Sequence, residues 1–214
     1  MERKTRKPIQ KRALEKVDRI IDSAFTIFNE KGYYNTTTED IAKQANVATG
    51  SLYSYFKDKK DIYIQVQEKI YKDIFYPSMN FWINNNEPLN NHDTAKNLFS
   101  TFLKLMLKNH NCSKLFHDES EALKLLDEDI KNISNEHDAY LIEKMKGMFI
   151  TLSIPFKSKD DMEIFLHFCL LLTEDVCHKI RYDNTIKDIN LYMDKCTDMI
   201  WSLFMDTTDF PKEE

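Results

Sequence analysis

The sequence predicts an all-α protein of about nine helices, and three observations carry that prediction. Only 3 Gly and 5 Pro occur in 214 residues. A chain so poor in turn formers has few places to reverse sharply, which favours long helices over many short strands. Apolar residues recur at three- and four-residue steps along most of the chain. No stretch alternates apolar and polar residues over a useful strand length, and there is no internal repeat.

The elements follow in order. Residues 1–12 hold Arg3, Lys4, Arg6, Lys7, Lys11 and Arg12 with Pro8, and read as a flexible basic arm. Val17, Ile20, Ile21, Ala24, Phe25 and Phe28 form one stripe of a first helix, and Gly32 sits where a C-terminal cap is wanted. Thr38 offers an N-cap hydroxyl for a short second helix with Ile41, Ala42 and Ala45 on its inner face. Asn46 and Val47 make a turn. A third helix runs over 49–56, with Leu52 and Phe56 inward, and a fourth starts near Lys59 with Ile62, Val66 and Ile70 on its inner side. Asn84–Asn86, Pro88, Asn90 and Asn91 make a loop. Further helices are expected around Leu98–Met106, Leu115–Leu126 and from about Ser134 to Leu152. Pro155 breaks the last of these, and two long apolar helices follow at about 160–182 and 186–205.

Charge is unevenly distributed. Residues 1–60 carry 13 Lys+Arg against 8 Asp+Glu, whereas the remainder carries 17 against 27. A basic head on an acidic body can bind a polyanion with one end only. No segment approaches the roughly 18 apolar residues of a membrane span, so a soluble, cytoplasmic protein without a membrane partner is expected. Cys112, Cys169, Cys177 and Cys196 lie far apart with no CxxC, and read as reduced core thiols rather than metal ligands. No metal site and no cofactor are expected. GxGxxG, P-loop, GxSxG and HExxH motifs are all missing, which argues against an enzyme.

Two short helices joined by a tight turn and supported by a longer one make a helix-turn-helix, assigned here to 13–58, with 59–214 as the body. Ala42 and Ala45 let the helices approach closely, and Val47, Leu52 and Phe56 anchor the third against Phe25 and Phe28. Thr49, Ser51, Tyr53, Ser54 and Tyr55 then lie on or near the outer side.

The stretch 20–62 resembles the DNA-binding domain of the TetR family of transcriptional regulators. The matching residues are Ile20-Ile21, Ala24, Phe28, Gly32-Tyr33, Thr37-Thr38, Ile41-Ala42, Ala45, Val47, Gly50, Leu52-Tyr53, Tyr55-Phe56 and Lys59. Phe25 and Ile62 depart mildly, and both stay apolar. The resemblance implies a reading surface of Thr49, Gly50, Ser51 and Ser54. Thr38 and Lys59 would contact phosphates, and Tyr53 and Tyr55 would reach phosphates or a thymine methyl. No Arg, Asn or Gln stands on this helix, so bidentate pairing to guanine or adenine is absent. Hydroxyl contacts and DNA shape would carry the readout instead. The basic arm either adds phosphate or minor-groove contacts or is an inert tail.

The resemblance further implies a homodimer on a palindromic double-stranded operator and a small-molecule effector. Phe165, Cys169, Leu172 and Val176, with Ile189, Met193, Cys196, Ile200 and Leu203, form the expected dimer seam; intramolecular packing is the alternative. Phe99, Phe102, Met106, Phe116, Tyr140, Met148, Phe149 and His167 are the expected lining of a pocket for a hydrophobic or aromatic ligand, with plain core as the alternative. Repression is expected ahead of activation. The competing reading is an architectural DNA-binding protein without a sensor.

Overall fold

The structure, a computed structural model, describes residues 11–77, 80 and 92–211. The arm through residue 10, the 84–91 loop, and Met79, Phe81 and Trp82 lie outside the described residues. Within them the chain is helical, with one isolated bridge between Phe156 and Thr208. Two compact units divide the chain. The first takes residues up to 72 together with 112–136, and the second takes 73–111 and 137–214.

In the first unit, α1 (Lys11–Lys31) buries Ile20, Ala24, Ile27 and Phe28. It therefore begins inside the segment expected to be arm. Gly32 ends it with φ +81°, its N–H donating to the Phe28 carbonyl at 2.9 Å. Helix α2 (Thr38–Gln44) is capped by Thr37, not by Thr38. The Thr37 hydroxyl accepts from the Asp40 N–H, and the Asp40 carboxylate accepts from the Thr37 N–H. This reciprocal box needs an acid three residues after the cap, and Asp40 stands in that register only to Thr37.

Asn46 adopts the left-handed region (φ 52°) after α2, and two bonds close the turn: Asn46 N–H to Lys43 O at 3.1 Å and Val47 N–H to Ala42 O at 3.0 Å. Helix α3 (Thr49–Leu52) is shorter than the expected 49–56. Beyond it the chain continues in tight turns, with Tyr55 and Phe56 N–H groups both donating to Leu52 O at 3.0 Å. Asp58 caps α4 (Lys59–Ile70), and a π-helical turn (Tyr71–Phe75) follows it. Helix α6 (Lys114–Leu126) and the start of α7 (Glu128–Thr151) complete this unit. The first unit is thus larger than the contiguous 13–58 head. Phe116, Leu123 and Ile130 share a core with Ile20, Phe28, Ile41, Leu52, Phe56, Ile62 and Tyr63. Lys60 reinforces it with ion pairs to Asp127 (2.9 Å) and Asp129 (2.6 Å).

Gly32 gives the first prediction. Its φ of +81° strains any other residue, and a Cβ there would lie 2.5 Å from an oxygen of Glu119. Gly32→Ala is expected to destabilise the protein by at least about 1–2 kcal/mol, read as a lowered midpoint in urea. An unchanged midpoint would contradict this geometry.

The second unit contains α5 (His92–Asn109), most of α7, α8 (Lys159–Tyr182) and α9 (Ile189–Thr207). Ser158 and Asp188 cap α8 and α9 through their side chains. Phe99, Phe149, Phe156, Phe165, Trp201, Phe204 and Phe210 pack ring against ring at its centre, with centroid separations such as 5.5 Å for Phe99–Phe204 and 5.6 Å for Phe165–Phe204. Cys169, Cys177 and Cys196 are buried there. Burial pushes the Cys169 and Cys177 thiols up to about 12 and Cys196 to about 11. They remain protonated and unreactive at neutral pH, as core thiols should.

Candidate nucleic-acid interface

Helix α3 is held with one side inward because Leu52 and Phe56 are buried in the first unit's core, against α1 and α2 residues. The opposite side carries Gly50 and Ser54, both exposed, with Thr49 and Ser51 half-buried beside them, while the half-buried Tyr53 and Tyr55 also pack against the core. A Cβ placed on Gly50 would meet no atom within 4 Å. The ridge therefore projects into open space on the side away from the core. Ser54 donates to the Gly50 carbonyl at 3.1 Å, so in the free protein its hydroxyl is bonded back to its own turn.

Thr38 is buried, and its hydroxyl lies 2.8 Å from the Tyr53 hydroxyl. That bond ties the start of α2 to the end of α3 and sets the tilt of the Tyr53 ring. The Lys59 ammonium donates to the carbonyls of Tyr33 and Thr36, each at 2.8 Å, and lies 4.3 Å from the Tyr33 ring centre. Burial lowers its pKa, opposed by the nearby Glu119 carboxylate. In the free protein the Lys59 ammonium organises the turn before α2. Sequence reasoning saw its charge but not these carbonyls. Lys43, before the turn, and Lys57, after α3, are both exposed.

The entry to α2 is electrostatically braced. Lys31 pairs with Asp40 at 2.6 Å. That bond, followed by those from the Thr37 backbone and hydroxyl, holds the Asp40 carboxyl well below the ordinary carboxylate range. A carboxylate whose folded-state pKa is depressed stabilises the fold above its unfolded value and loses that contribution as the pH falls through the folded one. The stability difference between wild type and Asp40→Asn is expected to be full at neutral pH and to shrink below the ordinary value of 3.8. Paired urea titrations across that range check it; a difference independent of pH would refute it.

In the second unit the residues expected to line a ligand pocket separate into two groups. Phe99, Phe102, Met106, Met148 and Phe149 are buried, Phe99 and Phe149 within the aromatic core. Tyr140 and His167 are exposed, Tyr140 against Tyr76 and His167 against Phe168, so neither faces that interior. Phe116 belongs to the first unit's core, stacked on Phe28 at 5.6 Å. These three assignments are corrected, because an aromatic side chain at helical spacing does not say which core it enters.

The expected dimer seam is also corrected. Phe165, Cys169, Val176, Met193, Cys196 and Ile200 are buried within the chain itself, where α8, α9 and α5 pack, and Leu172 and Leu203 are half-buried. Of that set Ile189 alone is exposed. The outward apolar stripe of α8 is Ile164, Phe168 and Leu171, the last two 45% and 52% exposed, and α9 adds Met199 at 56%. Among the described residues, no group of side chains could hold a metal ion, and no helix is long and apolar enough to cross a membrane.

The architecture and this ridge are those of a helix-turn-helix protein. Residues 20–66 match the model of the bacterial regulatory proteins of the tetR family. The chain is 27% identical over 190 residues to the biofilm operon icaADBC HTH-type negative transcriptional regulator IcaR of Staphylococcus epidermidis, covering 87% of this chain and 95% of that one. With IcaR of Staphylococcus aureus it shares 56% identity over 48 residues, 22% of this chain and 26% of the relative. A TetR transcription regulator from Haloarcula marismortui has the same fold, with a TM-score of 0.70 at 14% identity over 92% of this chain and 100% of the other. Over residues 20–66 in sequence, and in its fold, the chain is similar to transcriptional regulators of the TetR family. The matched proteins are regulators, which sets the enzyme reading aside.

Proposed function

We propose that the chain is a cytoplasmic, homodimeric repressor that grips a two-fold symmetric operator with its 49–55 ridge, and that a small apolar or aromatic effector loosens the grip. The observation that carries this reading is the ridge: Gly50 and Ser54 stand outward on a segment whose inner residues, Leu52 and Phe56, are fixed in a core. Repression is supported by the names of the two IcaR relatives, both negative regulators.

Thr49, Gly50, Ser51, Tyr53, Ser54 and Tyr55 face the major groove. Lys43 and Lys57 supply phosphate contacts. Hydroxyls and apolar contact, rather than bidentate pairs, give modest direct readout, and DNA shape adds the rest. Two copies are needed because successive major grooves on one side of B-DNA lie about 34–36 Å apart. The exposed stripe of Ile164, Phe168, Leu171 and Met199 is the surface for that pairing. The Phe168→Glu, Leu171→Glu double variant is expected to run as a monomer in light scattering and to bind operator no more tightly than a single half-site. A stable dimer from this variant would assign the interface elsewhere.

The effector acts by linkage: a ligand that favours a state with misplaced reading ridges lowers operator affinity by the same coupling energy, typically about 1–3 kcal/mol. The π-helical turn after α4 interrupts regular helix bonding, and such turns are frequent at functional sites. It is the pivot in this reading.

Selection of duplexes from a random DNA library by the full-length protein tests the whole proposal. The expected result is enrichment of a palindrome with two protected half-sites about one helical turn apart. Enrichment of no sequence, with binding set by length and salt alone, would point to an architectural protein.

A further inference from the structure

The turn that leads into α2 is held from outside by two charged side chains of opposite sign. Glu119, on α6, accepts hydrogen bonds from the backbone N–H groups of Tyr33 and Tyr34, the second at 3.3 Å. Lys59, on α4, donates to the carbonyls of Tyr33 and Thr36 in the same turn. Gly32 lets the carboxylate in: its φ of +81° turns the chain, and a side chain there would occupy the space of the Glu119 oxygens. Donors and acceptors of one short turn are thus taken by two different helices, and neither helix carries a residue of the reading ridge.

Position gives this clamp its consequence. The turn ends at Thr37, the cap of α2, and α2 passes through the Asn46 turn directly into α3. Whatever fixes residues 33–36 fixes where α2 starts, and the Thr38–Tyr53 bond carries that placement to the ridge. A recognition surface works only when its side chains are held within about 0.5 Å of productive geometry. The anchoring group, Glu119, is 86 residues from Tyr33 in sequence and sits on the segment that joins the first unit from the middle of the chain.

We propose that Glu119 is a positioning residue for DNA reading. Its carboxylate sets the aim of the ridge through the 33–36 turn, and release of that carboxylate is sufficient to lower sequence-specific binding without unfolding the unit. The inference rests on the DNA-binding reading above.

The test uses the full chain and two probes: a duplex enriched by the wild-type protein from a random library, and a scrambled duplex of the same base composition. Glu119→Ala is expected to bind the enriched duplex about tenfold more weakly while its affinity for the scrambled duplex stays within about twofold. Glu119→Gln, whose amide oxygen still accepts, should retain most of the wild-type discrimination. Should the alanine variant fail to fold, Glu119→Asp carries the same comparison, since its carboxylate falls one methylene short. A merely structural role would lower both affinities together with the thermal midpoint. That pattern overturns the inference, as does unchanged discrimination in every variant. If the wild-type protein enriches no duplex, the DNA-binding reading fails and the inference goes with it. An enriched library read equally well by the variants overturns the inference alone.

Discussion

Phe116→Ala is expected to cost the protein about 3–5 kcal/mol of stability, the usual range for removing a fully buried ring. Phe116 is 1% exposed and sits among Phe28 (5.6 Å between centroids), Tyr63 (6.1 Å) and Phe25 (6.4 Å). Truncation would leave a cavity walled by rings from two helices, α1 and α4, neither of which can collapse without moving its own backbone. A loss of that size is a large share of the roughly 5–15 kcal/mol that holds a typical domain. Urea denaturation measures it directly, with Phe116→Leu expected to recover part of the loss. DNA binding should disappear in parallel with folding, because the same core supports Leu52 and Phe56 beneath the ridge. A loss below about 1 kcal/mol, with a changed response to small molecules, would return Phe116 to the pocket lining that sequence spacing suggests.

The same residue explains what was legible in the sequence and what was not. The helix-turn-helix could be read because its signals are local. Gly32 as a cap, Asn46 with Val47 as a turn, and Leu52 with Phe56 on one face each act within a few positions of themselves. The start of α2 was displaced by one residue, since Thr37 and Thr38 are both good caps and only the register to Asp40 separates them. What could not be read was anything decided over long separations. Periodicity gives the apolar face of α6 but not that this face lies against α1 and α4. Nor could it choose between the two apolar sides of α8, where Phe165 and Cys169 turn inward and Phe168 and Leu171 turn outward. The partners of Lys59 were hidden for a related reason: backbone carbonyls leave no trace in a sequence.

Gly50→Leu separates binding from folding. A leucine at this position meets no atom of the protein near its Cβ, and it replaces glycine with a strong helix former in α3. Stability should therefore hold or rise by about 0.5–1 kcal/mol. The DNA side is different. If the ridge enters the major groove with its backbone close to the base edges, four added carbons occupy the space that the groove needs. The expected result is a drop in operator affinity of more than about a hundredfold, roughly 3 kcal/mol, against an unchanged or raised thermal midpoint. Affinity for scrambled duplex should fall much less, because non-specific binding rests on phosphates reached by longer cationic side chains. The contrast with Phe116 is informative, since one variant removes binding by removing the fold and the other removes it with the fold intact. Wild-type operator affinity from Gly50→Leu would mean that this face never approaches the bases, and the interface would then have to be sought elsewhere on the first unit.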